Sequence, residues 1–149
     1  MSNPTPDQSA DQTGEEAADR TAEVPDEQDE RAALVALVGD WTTVPDIAGR
    51  VGVPLARVRQ YLADRDLLSL RVGERKVVSI PAKFVSDDGP RPELKGTFTV
   101  LADGGMSDEQ ILRWLFTPDE TLPVDGAPVD ALVAGHKTEV RRRAQAMAF

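Results

Sequence analysis

Basic side chains are concentrated in one stretch of this 149-residue chain. Residues 50–83 contain eight bases and three acids, a local net charge of +5, although the whole chain carries −9. Arginine and lysine bind phosphate, and such clustering in an otherwise acidic protein is typical of a nucleic-acid-binding surface. The stretch therefore predicts nucleic acid as a partner. The bases are Arg50, Arg57, Arg59, Arg65, Arg71, Arg75, Lys76 and Lys83.

The composition excludes most kinds of catalysis and metal binding. There is no cysteine, so a disulfide framework, a thiolate zinc site and a cysteine nucleophile are all excluded, and the single His136 cannot form a histidine cluster. The carboxylate pairs Asp87–Asp88 and Asp119–Glu120 fall in predicted turns with no nucleophile or metal ligand beside them. We therefore predict a protein that is not an enzyme and has no cofactor or metal.

The N-terminal segment carries the acidic charge of the protein. Residues 1–30 contain ten acids and one base, a net charge of −9, and almost no large apolar residues, which predicts a disordered acidic tail. Its acidity is unlike that of a signal or transit peptide, and no apolar run in the chain approaches the 18 or so residues of a membrane helix. These features predict a cytoplasmic protein with no membrane partner, and DNA binding by the basic stretch would make it nucleoid-associated.

Two short amphipathic helices are predicted after a first helix over residues 31–38. Thr43 is placed to cap a helix over 44–51, where Val44, Ile47, Ala48 and Val51 form an apolar stripe. Gly52 ends that helix, and Pro54 opens the next one, over residues 55–64, whose predicted stripe is Leu55, Val58 and Leu62. Two helices joined by a tight turn that contains glycine form a helix-turn-helix.

A predicted β-hairpin follows directly. Residues 68–72 alternate between apolar and polar side chains, and residues 76–80 are rich in β-branched side chains. Gly73-Glu74-Arg75 forms the turn between them. A hairpin with a basic tip after a helix-turn-helix is a wing. Residues 31–85 are thus predicted to be a winged helix-turn-helix domain.

The remaining residues predict a second small module. Residues 86–92 have the composition of a linker, and residues 93–149 form a C-terminal helical domain. Its helices are predicted over 94–102, from a Ser107–Gln110 capping box to Phe116, over 128–134 and over 136–147. The predicted fold class is mainly α with a small β-hairpin wing, a winged helix-turn-helix followed by a small C-terminal helical module.

Helical geometry assigns roles on double-stranded DNA to the basic residues. The outer face of helix 55–64 enters the major groove, where Arg57 suits guanine and Gln60 suits adenine. Arg50, Arg59, Arg65 and Arg71 suit phosphates, and Arg75 and Lys76 at the wing tip suit the backbone or the minor groove. Each arginine taken singly could equally be a solvated surface charge or form a surface pair with Asp64 or Asp66. Asp64, on the same face, would repel phosphate.

Three stretches also resemble known families. The run from Trp41 to Phe84, which has TTVPDIAGRVGVPLARVRQYLADRDLLSLRVGERKVVSIP at its centre, resembles the excisionase and MerR-type winged helices. Residues 104–122, GGMSDEQILRWLFTPDETL, and residues 128–149, PVDALVAGHKTEVRRRAQAMAF, closely resemble an actinobacterial family of winged-helix DNA-binding proteins, typified by a mycobacterial substrate of the Ser/Thr protein kinase L. The C-terminal stretches are also loosely similar to the toxin-binding domains of Xre/MbcA/ParS antitoxins.

The family resemblance implies DNA binding by the winged helix and control by threonine phosphorylation in the tail. The threonines of the tail are Thr5, Thr13 and Thr21, and no motif selects one of them. We predict a DNA-binding protein, a transcriptional regulator or nucleoid-associated factor, that binds through helix 55–64 and the wing 68–80. The alternative is a non-enzymatic interaction scaffold or antitoxin-like protein that binds a partner through the C-terminal helices.

Overall fold

The computed structural model describes residues 26–148, which are mainly helical with two small antiparallel sheets. The chain divides into two units. Residues 1–33 are the first, described only from residue 26, and residues 34–149 are the second. The helices are α1 (Glu27–Val38), α2 (Val44–Val51), α3 (Leu55–Ala63), α4 (Glu93–Asp103), α5 (Asp108–Phe116), α6 (Pro128–Val133) and α7 (Lys137–Ala148). The strands are β1 (Trp41–Thr43), β2 (Leu70–Val72), β3 (Val77–Pro81), β4 (Val85–Ser86) and β5 (Gly89–Pro90).

Local signals in the sequence produce the helix-turn-helix. The Thr43 hydroxyl accepts a hydrogen bond from the backbone N–H of Asp46 (3.3 Å), which caps α2 as predicted. Gly52 ends α2 in the left-handed conformation, with φ of 82°, and the chain restarts at once as α3. Only glycine adopts such a φ without strain, which explains its position between the two helices.

The wing is a three-stranded sheet rather than an isolated hairpin. Strands β2 and β3 pair antiparallel, as expected for the predicted hairpin, and their register places Leu70 opposite Ser79. Strand β1 also pairs with β3, with Trp41 opposite Pro81, so that the strand order is β1-β3-β2. Three residues are too few to show an alternating pattern, and for this reason the sequence does not reveal β1. The predicted fold class is confirmed.

The segment predicted as a linker contains a second strand pair. Val85 lies opposite Pro90 and Ser86 opposite Gly89 in the β4–β5 hairpin. Gly89 has a φ of 120°, and a β-carbon on it would lie 3.6 Å from the Tyr61 hydroxyl of α3. Residues 85–90 therefore build a compact hairpin against α3.

The C-terminal helices carry the caps that the sequence predicts. At the start of α5 the Ser107 hydroxyl accepts from the Gln110 N–H (3.2 Å), and the Gln110 side chain accepts from the Ser107 N–H (2.8 Å). In the last helix, α7, Val140 and Ala144 are buried, whereas Met147 is 43% exposed.

One hydrophobic core runs through residues 34–148. Phe84, in a 3₁₀ turn between the wing and β4, is fully buried. Its ring centroid lies 5.3 Å from that of Phe98 and 5.7 Å from that of Phe116. Tilted aromatic pairs at such distances are favourable beyond the area that they bury. Phe84 thus joins the end of the wing to α4 and α5.

Across residues 26–148, no helix is long and apolar enough to cross a membrane.

Candidate nucleic-acid interface

The buried side chains of α3 define which face of the helix is free. Val58 is fully buried and Tyr61 and Leu62 are half-buried, whereas Leu55 is 42% exposed. At about 100° per residue, the opposite direction is centred on Ala56 and Gln60. The sequence pattern places Leu55 in the core with Val58 and Leu62. Because Leu55 is exposed, the outer face of α3 lies further from Asp64 than that pattern predicts.

Two arginines flank this outer face of α3. Arg57 lies on one side and Arg59 on the other, and both are exposed. Within residues 26–148, neither guanidinium has a hydrogen bond or ion pair. Both are therefore available for phosphate or for a base edge.

Gln60, predicted to contact adenine, is held by its neighbour one turn away. Its Nε2 donates to Oδ1 of Asp64 at 2.9 Å, and both residues are exposed. Asp64 is also the C-cap residue of α3, where its N–H bonds the Gln60 carbonyl. A carboxylate therefore lies beside the predicted base-reading amide.

The wing tip presents the second group of available bases. Arg75 and Lys76 are exposed, and their side chains have no partner among the residues that the structure describes. Lys76 has a φ of 56°, which closes the turn with Gly73 at a φ of 82°. Arg71 of β2 donates to the Lys76 carbonyl at 3.2 Å and so braces this turn.

Three other bases of the stretch are neutralised by acids distant in sequence. Arg50 binds Asp87 at 2.7 Å, Lys83 binds Asp130 at 2.6 Å, and Arg65 binds Asp108 at 2.9 Å. The side-chain hydrogen bond from Asp108 raises the pKa of Arg65 above its usual value, with a smaller opposing effect of burial. The structure thus separates seven of the eight bases into four available bases on α3 and the wing tip and three that are paired with acids, while Arg71 binds the backbone of the wing turn.

Three other candidate sites from the sequence are a metal site, the apolar cluster around Trp114 and the threonines of the tail. The described residues hold no cluster of histidine and carboxylate side chains suited to a metal ion. In the apolar Trp114-Leu115-Phe116 cluster of α5, Leu115 and Phe116 are buried. Trp114 is half-buried and lines a cleft of about 560 Å³ with Pro118, Pro128 and Met147. The predicted phosphorylation candidates Thr5, Thr13 and Thr21 lie outside the described residues.

The fold and the exposed bases define a winged helix-turn-helix protein with a helical C-terminal part. Residues 31–85 match the family model described as the winged helix-turn-helix domain of the DNA-binding protein Rv2175c. Residues 92–148 match the model described as the Rv2175c C-terminal domain of unknown function. The chain belongs to the Rv2175c family, which confirms the predicted resemblance.

Two relatives support this assignment. The DNA-binding protein Rv2175c of Mycobacterium tuberculosis (strain ATCC 25618 / H37Rv) is 42% identical over 117 residues, in a match that covers 71% of this chain and 79% of that protein. The NMR structure of Rv2175c superposes with a TM-score of 0.65 at 38% identity, covering 73% of this chain and 81% of that one.

Proposed function

We propose that this protein binds double-stranded DNA through α3 and the wing tip. The observation that carries the proposal is the set of four exposed bases, Arg57, Arg59, Arg75 and Lys76, whose side chains have no partner within residues 26–148. They lie on the two elements with which a winged helix meets DNA, one in the major groove and one beside it. The family's description as DNA-binding supports the same function.

In this proposal the two elements have different roles. Arg57 and Gln60 contact base edges in the major groove, and Arg59 contacts phosphate. Arg75 and Lys76 hold the backbone or the adjacent minor groove, in a turn that Arg71 keeps closed. Arg50, Arg65 and Lys83 are bound to carboxylates and contribute less to phosphate binding than the sequence suggests.

The salt dependence of a mobility shift tests this function. Each phosphate contact releases counterions, so the affinity should fall linearly with salt on a double-logarithmic plot. A partner-binding scaffold of the antitoxin type would give no shift at any salt concentration. The half-buried Trp114 and the cleft beside it are the surface that such a scaffold would use.

We further propose that the protein is a regulator of transcription or of the nucleoid, controlled by phosphate on Thr5, Thr13 or Thr21. A phosphate adds about −1.5 to −2 charges at neutral pH to a segment that is already acidic. A segment tethered to the DNA-binding domain acts at high effective concentration, so its charge competes with DNA phosphate for the same bases. Phosphorylation in a reaction with a Ser/Thr kinase, followed by a mobility shift, tests the regulation.

A further inference from the structure

Leu55 is an exposed leucine at the first position of the recognition helix. Its spacing from Val58 and Leu62 predicts an inward side chain, but 42% of Leu55 is exposed while Val58 is completely buried. The core of the winged helix therefore does not use all of this side chain.

The surroundings of Leu55 are those of a DNA-facing surface. Ala56 beside it is exposed, and Arg59, one turn further along, has no side-chain partner among the described residues. The first turn of α3 contains no acid, and its N-cap residue, Pro54, makes no side-chain cap hydrogen bond. The positive end of the helix dipole is therefore not offset by a carboxylate of its own first turn, which favours the approach of a phosphate backbone. The N-terminal residues of a recognition helix lead into the major groove.

We infer that Leu55, with the methyl group of Ala56 beside it, reads thymine through the C5-methyl group. This inference rests on the proposed DNA-binding function. In the major groove only thymine presents a methyl group, whereas the other base edges present hydrogen-bond donors and acceptors that an apolar side chain leaves unpaired. Leu55 thus selects a thymine on the Arg59 side of the base that Gln60 contacts. Burial of one methyl group corresponds to about fourfold in affinity.

The test replaces thymine by uracil, which removes only the methyl group. A DNA site is first selected from a random pool with the full chain, and each thymine in it is then changed singly to uracil. We expect the parent protein to lose about fourfold in affinity at one or two of these positions. The same comparison with Leu55→Ala should show no loss at those positions.

Val133→Ala is the matched control. Val133 on α6 is 41% exposed, a fraction close to that of Leu55, but it lies outside the winged helix. This variant should keep the full response to uracil. Leu55→Gln, which keeps the length of the side chain, replaces Leu55→Ala if melting curves show that the alanine variant unfolds.

Three outcomes would overturn the inference and leave DNA binding intact. They are a parent that binds every sequence equally, a selected site at which uracil costs nothing, and a uracil response that survives in both Leu55 variants. A parent that binds no DNA at all contradicts the proposed function itself.

Discussion

Arg65, two residues after the end of α3, binds Asp108 in the first turn of α5 through two hydrogen bonds of 2.9 and 3.3 Å. Both side chains are nearly half exposed, so the pair stabilises the fold by no more than about 1 kcal/mol. Because the guanidinium already has a carboxylate partner, we expect Arg65→Ala to weaken DNA binding much less than Arg57→Ala. Fluorescence anisotropy with one labelled duplex measures both. Equal losses would mean that Arg65 leaves Asp108 for a DNA phosphate.

The comparison of Arg65 with Arg57 shows what a sequence can and cannot predict. Caps at Thr43 and Ser107 depend on residues three positions apart, and for this reason the helix starts were predicted correctly. The acids that neutralise Arg50, Arg65 and Lys83 lie 37, 43 and 47 residues away, and only the folded chain brings them together. Composition therefore revealed that the stretch is basic, but not which bases remain available.

Arg57 and Arg75 should differ in how they affect DNA binding. Arg57→Ala removes a base contact and should cost roughly 1–3 kcal/mol on the selected site, with a smaller effect on unrelated DNA. Arg75→Ala removes a backbone contact, so it should weaken all sequences similarly and lower the salt slope by about one. Arg142→Ala is the control, because Arg142 is an exposed arginine on α7 whose partner is Glu139. If both test variants bind like Arg142→Ala, the proposed docking of α3 and the wing is wrong.

Asp64 should restrain affinity for DNA of any sequence. Asp64→Asn keeps an oxygen that can accept from Gln60 but removes a negative charge beside the proposed phosphate path. We expect tighter binding by about 0.5–1 kcal/mol at low salt, with a smaller gain as salt screens the repulsion. Asp103→Asn, which alters an exposed acid at the C-terminal end of α4, should leave binding unchanged. An unchanged affinity in Asp64→Asn would place Asp64 away from the DNA.

Asp130 should make the stability of the C-terminal helices depend on pH. Burial raises the pKa of its carboxyl. The hydrogen bond from the Ala127 N–H (2.9 Å) and the contact with the Lys83 ammonium (2.6 Å) lower the pKa by more than burial raises it, so the pKa lies below its usual value. A lowered pKa in the folded state stabilises the protein above the unfolded value of about 3.9, and this contribution is lost as the pH falls through the folded value.

We therefore expect Asp130→Asn to lower the free energy of unfolding by about 1 kcal/mol at neutral pH, where a helix N-terminal hydrogen bond and an ion pair are lost. The difference from the parent should shrink as the pH falls below about 4. Urea denaturation at a series of pH values measures it, and Asp125→Asn, at an exposed acid in the loop before α6, is the control. A difference that stays constant down to pH 3 would contradict the role of this carboxylate.

The acidic N-terminal segment should weaken DNA binding through charge alone. Residues 1–25 contain six acids and one base, a net charge of −5, and their removal leaves α1 complete from Glu27. We expect the shortened chain to bind DNA more tightly than the full chain, most of all at low salt, because the Debye length falls to about 8 Å at physiological ionic strength.

A full-length variant with the six acids changed to Asn and Gln separates charge from length, and it should match the shortened chain. Phosphorylation of the parent should weaken DNA binding. Phosphorylation of the variant without the six acids shows whether this weakening needs the neighbouring acids. Equal affinities of full and shortened chains at both salt concentrations would contradict inhibition by the segment and leave the winged-helix interface unaffected.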